Sequence, residues 1–185
     1  MPQQHQPPQK TRRLHVTETV LRDAHQSLLA TRMRTEDMLP ILEKLDRVGY
    51  WSVEMWGGAT FDSCMRFLRE DPWERIRLMA AATPRTPLQF MSTGFRFISW
   101  ETASPEFMAL AFRVLARNGI RRFCLADPMN DADSNVACAR MVRQGGGEYV
   151  IAALVYTLSP IHDDAHYVAR ARTLARAPAK PLARD

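Results

Sequence analysis

No stretch of this sequence approaches the roughly 18 consecutive apolar residues that a membrane-spanning helix needs. The opening MPQQHQPPQKTRR holds no apolar run of the secretory kind. Cysteine is scarce. Cys64, Cys124 and Cys138 are an odd number at wide spacing, which excludes an obvious disulfide framework and a paired zinc pattern. Such usage implies a reducing compartment, the cytoplasm. Lysine is almost missing: Lys10, Lys44 and Lys180 stand alone, so arginine carries nearly all the positive charge behind the net +5. Those arginines are scattered, and pairs such as Arg12/Arg13 and Arg121/Arg122 are isolated. Without a dense basic stripe, solvated helix faces explain the charge better than nucleic-acid binding does.

What is present is a globular pattern. The 46% hydrophobic and 24% charged content suits a soluble domain with a real core. The length of 185 residues is ample for one domain, but short of the ~250 residues typical of a closed eight-stranded α/β barrel. Residues 1–13 are Gln/Pro-rich and read as a disordered leader. From there the pattern predicts five βα units. Short strands are expected at 16–20, 50–56, 88–91, 122–126 and 149–156, each rich in apolar or β-branched residues. Helices are expected from Thr35 as a cap to Gly49, at 62–69 and 72–82, from Ser104-Pro105 to Gly119, at 132–143 and at 163–176. In the first of these the inner face is Met38, Ile41, Leu42, Leu45 and Val48. In the fourth it is Phe107, Leu110, Ala111, Val114 and Leu115. The glycine run 145–147 follows a helix and reads as a C-cap and connector, not a phosphate loop. Residues 177–185 read as a disordered tail. Strands alternating with helices mean parallel strands with helical crossovers.

Polar residues cluster where such folds carry their sites. Asp23, Glu54, Thr93 and Asp127 fall at predicted C-terminal strand ends. A carboxylate there can hold a cation, and the neighbouring Arg22 can stabilise an enolate or carboxylate oxygen. Gly57 and Gly58 would let backbone approach a ligand. His162 and His166 have the i,i+4 spacing of a metal pair. However, no glutamate stands at the HExxH position, and Asp163 and Asp164 suit a helix first turn. Met38, Met55, Met65 and Met79, with Trp51, Trp56 and Trp73, read as core packing.

Three segments carry a resemblance: LRDAHQSLLATRMRTEDMLPILEKLD at 21–46, EMWGGATFD at 54–62 and RFLREDPWERIR at 66–77. They are similar to the carboxyltransferase domain of biotin-dependent enzymes, the group of pyruvate carboxylase, oxaloacetate decarboxylase α subunit and transcarboxylase 5S subunit. Looser similarity runs through 118–131 and 155–167, so that it covers about 14–175. The resemblance implies a (β/α)8 barrel, of which 14–176 would be the N-terminal five units. It implies metal-dependent, biotin-linked carboxyl transfer to or from a keto acid of the pyruvate/oxaloacetate kind. The divalent metal would be Zn, Mn or Co, and biotin would come on a carrier domain or subunit. Asp23 would be the metal ligand, Arg22 the oxyanion stabiliser and Gln26 a substrate contact. Glu54 and Asp62 would organise the site.

The sequence also departs from that pattern. Thr93 stands where the group has an arginine, with Arg96 three residues on, and Trp100 replaces a tyrosine. The carbamylated lysine of strand six and the HxH of strand seven have no counterparts. The expectation is therefore an inactive or incomplete chain. Alternatives are a partial barrel completed by another polypeptide or by self-association, and a different metal-dependent C–C lyase on the same scaffold.

Overall fold

The computed structural model describes residues 14–98 and 101–176. The readings of 1–13, Trp100 and 177–185 lie outside them. Five strands form one parallel sheet in sequential order: β1 (Thr17–Glu18), β2 (Ser52–Gly57), β3 (Leu88–Ser92), β4 (Ile120–Leu125) and β5 (Tyr149–Ala152). The connections carry α1 (His25–Leu29), α2 (Thr35–Val48), α3 (Gly58–Ser63), α4 (Pro72–Ala82), α5 (Pro105–Asn118), α6 (Ala132–Gln144) and α7 (Asp164–Ala175). Sequential parallel order with a helix after each strand is the arrangement of a barrel wall, here five units of it. Among the described residues, no helix is long and apolar enough to cross a membrane.

The expected elements form for the expected reasons. Ser104 accepts a hydrogen bond from the Phe107 amide and Pro105 opens α5. Asp71 does the same for the Trp73 amide ahead of Pro72. Gly49 ends α2 at φ +82°, a conformation glycine adopts without strain. Gly145 caps α6, so the glycine run is indeed a connector.

Several expectations are corrected. Strand one is shorter than expected: after Glu18 the chain enters a π-helical turn, Val20–Ala24, so Arg22 and Asp23 ride on that turn. Thr35 is the first residue of α2 and not its cap; its hydroxyl donates to Glu70 Oε2 at 2.5 Å and accepts from Arg75 Nε at 2.7 Å. On α5 the buried set is Met108, Ala111, Phe112, Leu115 and Ala116, while Phe107 and Leu110 are exposed. The stripe is turned because Phe112 must reach Phe90 and Phe123 on the sheet, which it meets at 6.5 and 5.8 Å between ring centroids. On α2, Met38 and Leu42 are buried but Ile41 and Val48 are exposed. β5 ends at Ala152, four residues early, where the chain leaves the sheet. Asn130 then clamps Val155, donating from Nδ2 to its carbonyl at 2.6 Å and accepting its amide at 2.7 Å. Of the methionines read as core, Met38, Met55 and Met79 are fully buried and Met65 is exposed.

The core lies between sheet and helices. Val53, Leu88, Phe90, Phe123 and Leu125 face it from the strands, against Met38, Leu42, Ile76, Met79, Phe112 and Leu115. The other sheet face carries Thr17, Ser52, Glu54, Gln89, Arg122 and Tyr149. Its polarity is what positions the site.

Candidate functional site

A register shift in β2 builds the site. Glu54 pairs with Gln89, but Trp56 pairs with Phe90, so Met55 is an extra residue in the ladder. In a regular strand Glu54 and Trp56 would share a face. The bulge separates them. Trp56 turns to the helices and stacks on Trp73 at 6.1 Å, while Glu54 stays on the inner face, 3% exposed. Glu54 is thus in mid-strand, not at the strand end expected of it, because β2 runs on to Gly57.

Over Glu54 sits Arg22. Its Nε donates to Glu54 Oε1 at 2.7 Å, and its Nη2 lies 2.5 Å from the same oxygen. Its Nη1 donates to Asp23 Oδ1 at 2.8 Å. The turn that carries both residues is closed by Glu18, whose Oε1 accepts the Thr19 and Val20 amides at 2.8 Å each. Three of the five guanidinium N–H groups are engaged in this way and two remain. Glu54 formally neutralises Arg22, which leaves the exposed Asp23 as the surplus negative charge. Removing one partner of so sheltered an ion pair costs about 3–5 kcal/mol.

The other anticipated residues are placed differently. Gln26 lies on α1, exposed. Asp62 pairs with Arg66 one turn on, Oδ1 to Nε 2.7 Å, and joins none of the contacts of Arg22. Gly58 admits the protein's own chain and not a ligand: a Cβ there would stand 2.2 Å from the Phe97 carbonyl oxygen. Arg96 lines a cavity of about 440 Å³ with Phe95, Asp127, Asp131 and Ser134, and neither Arg22 nor Asp23 borders it. His162 precedes α7, so the two imidazoles are not on one helical face. Their rings still meet at 4.8 Å, and His162 Nδ1 lies 2.7 Å from Ser159 Oγ. Asp163 caps the helix through the His166 amide.

Sequence reasoning missed Gln89, Ser52 and Thr17, the polar residues beneath Glu54. The available signal was a polar side chain inside an apolar parallel strand, where burial without a partner is costly. His25 was named only as part of the strand-end motif. It is 1% exposed, and burial foremost, with the Arg75 charge second, lowers its pKa to about 4.

A divalent cation in a catalytic site takes about three protein ligands. Among the described residues no three His, Cys, Asp or Glu side chains gather for one. Asp23 alone does not fit such an ion. Burial pushes the Cys64 and Cys124 thiols up to about 11 and that of Cys138 to about 12, which keeps them protonated and poor as ligands.

The sheet and the order of its strands match solved structures of one kind. The carboxyl transferase domain of Rhizobium etli pyruvate carboxylase with 3-bromopyruvate superposes at a TM-score of 0.85, with 34% identity over 90% of this chain and 29% of that one. The chain is homologous to part of a pyruvate carboxylase carboxyltransferase domain. In sequence this carboxyltransferase segment is 44% identical to a pyruvate carboxylase subunit of Methanocaldococcus jannaschii, over 86% of its own length and 28% of that protein. It is 43% identical to the methylmalonyl-CoA carboxyltransferase 5S subunit of Propionibacterium freudenreichii, over 85% of its length and 31% of that subunit. It thus spans less than a third of these relatives. No family model matches the sequence. The five βα units are therefore a portion of a carboxyltransferase TIM barrel, as the motifs at 21–77 implied.

Proposed function

We propose that this segment serves biotin-linked carboxyl transfer to or from a keto acid, with Arg22 stabilising the enolate or carboxylate oxygen and Gln26 contacting substrate. Glu54 orients Arg22, and Asp62 supports the site from α3. The observation that carries this is the sheltered Arg22–Glu54 pair at the mouth of the sheet, with two N–H groups of the guanidinium uncommitted. Relatives named for pyruvate and methylmalonyl-CoA carboxylation support the class of reaction. A carrier bearing biotin and a keto acid of the pyruvate/oxaloacetate kind are the partners this implies. Metal dependence belongs to the proposal only through ligands outside these strands. Asp23 would be this chain's contribution, and its surplus charge suits that role.

The isolated chain, on this reading, is inactive or incomplete. Purified 185-residue protein should not decarboxylate oxaloacetate above the buffer rate, and calorimetry should find no tight divalent-metal binding. Oxamate, present with biotin in a solved R. etli domain structure, should bind weakly and lose that binding in Arg22→Gln. Turnover abolished by Asp23→Ala would overturn the reading of inactivity.

A second reading is a half-barrel completed by another polypeptide or by self-association. It is favoured by exposed apolar residues flanking both outer strands: Leu14 and Val16 beside β1, and Tyr156, Leu158 and Ile161 beyond β5. Sedimentation velocity over a hundredfold concentration range tests it. A compact assembled species supports completion, and a single monomer boundary throughout refutes self-association.

A further inference from the structure

Beneath the Arg22–Glu54 pair runs a chain of hydrogen bonds across three strands. Gln89, 4% exposed on β3, donates from Nε2 to Glu54 Oε2 at 2.7 Å. Its Oε1 accepts from Ser52 Oγ at 3.0 Å. Ser52 Oγ lies 2.8 Å from Thr17 Oγ1. The direction of every bond follows from Glu54. An ionised carboxylate only accepts, so the amide nitrogen must face it and the amide oxygen must face Ser52. Ser52 then donates to Gln89 and accepts from Thr17. A flipped amide would set its oxygen against a carboxylate oxygen and leave the Ser52 hydroxyl facing a donor. The chain therefore has a single consistent polarity.

We propose that Gln89 is a positioning residue for Arg22, acting through Glu54. Glu54 gives one oxygen to Arg22 and the other to Gln89. The terminal torsion of a glutamate is soft, so two contacts on different oxygens are needed to fix the plane of its carboxylate. That plane fixes the guanidinium, because Nε and Nη2 both meet Oε1. The guanidinium plane in turn aims the two uncommitted N–H groups. Gln89 thus sets, from 4% exposure on the neighbouring strand, the direction in which an oxyanion of a keto acid or its analogue would be met. This rests on the reading of Arg22 as the oxyanion-binding group.

The test is the side-chain Nε–H resonance of Arg22 in the whole chain, assigned by its loss in Arg22→Lys. In the wild type it should be resolved and slow to exchange. In Gln89→Leu it should broaden or move to the position of free arginine while the amide dispersion of the sheet persists. In Gln89→Glu two carboxyl groups abut, so the resonance should gain a pH-dependent step that the wild type lacks. Oxamate affinity should fall about tenfold in Gln89→Leu. If Gln89→Leu fails to fold, Ser52→Ala removes only the lower bond and should loosen the same resonance. An Arg22 signal unchanged in the folded variants overturns the proposal. A signal that responds as described, in a protein that does not bind oxamate, supports the positioning role and removes the functional reading above it.

Discussion

The Arg122 guanidinium lies 3.5 Å above the ring of Trp51, although the two belong to strands separated by β3. Tyr149 completes the group, edge-on to Trp51 at 4.9 Å. Together they close the N-terminal end of the curved sheet below the polar chain of Thr17, Ser52 and Gln89. Burial depresses the Arg122 pKa to about 10, so the group remains a cation and the stacking remains electrostatic.

Trp51→Ala should therefore destabilise the fold by about 2–4 kcal/mol, through lost packing and the stranded guanidinium. Trp51→Phe, which keeps an aromatic face, should cost clearly less. Urea unfolding of the three proteins measures both, and equal losses would remove the cation–π contribution.

Glu54→Ala should cost about 3–5 kcal/mol, because Arg22 and Gln89 both lose their partner in a site almost without solvent. Asp23→Ala should cost less than about 1 kcal/mol, since Asp23 is exposed. Thermal or chemical unfolding should rank them in that order.

Acid should weaken the protein in two stages. His25 is held neutral down to about pH 4, whereas the unfolded chain takes up its proton near 6.5. Stability is then complete above about pH 6.5 and falls as pH drops from there to 4, by up to about 3 kcal/mol. His25→Leu should flatten that window. Glu70 behaves oppositely in kind. Burial alone would raise its pKa, but the bonds from Thr35 and Arg75 outweigh this and lower it. Its contribution is present above the usual glutamate range and is lost only as pH falls through the lowered value. Denaturant titrations at fixed pH steps would separate the two.

Gly58→Ala and Gly57→Ala should differ sharply. A Cβ at 58 would meet the Phe97 carbonyl oxygen at 2.2 Å, so the 93–98 segment must move and take Phe97 from its contacts with Phe61 and Phe90. About 1–3 kcal/mol is expected. At 57 the nearest atoms stand at 3.7 Å, and a change within about 1 kcal/mol is expected. Similar losses at both positions would refute the close approach.

The order of elements was open to reading along the chain because each rests on local chemistry. Ser104-Pro105, Asp71-Pro72 and Gly49 mark helix ends through hydrogen bonds and dihedrals confined to a few residues. Periodicity marks the helices themselves, and the motifs at 21–77 placed Arg22, Asp23 and Glu54 together before any coordinates did. Tertiary structure alone decided which way side chains face and what they touch. The extra residue at Met55 sends Glu54 inward and Trp56 outward, although both occupy the same phase of an ideal strand. Gln89 looks like one more strand residue until β2 lies beside it. Asp62 carries the family's motif yet turns to Arg66, and Arg96 borders a different cavity from Arg22. Those outcomes depend on strand register and on packing between residues far apart in the chain, and no local pattern encodes either.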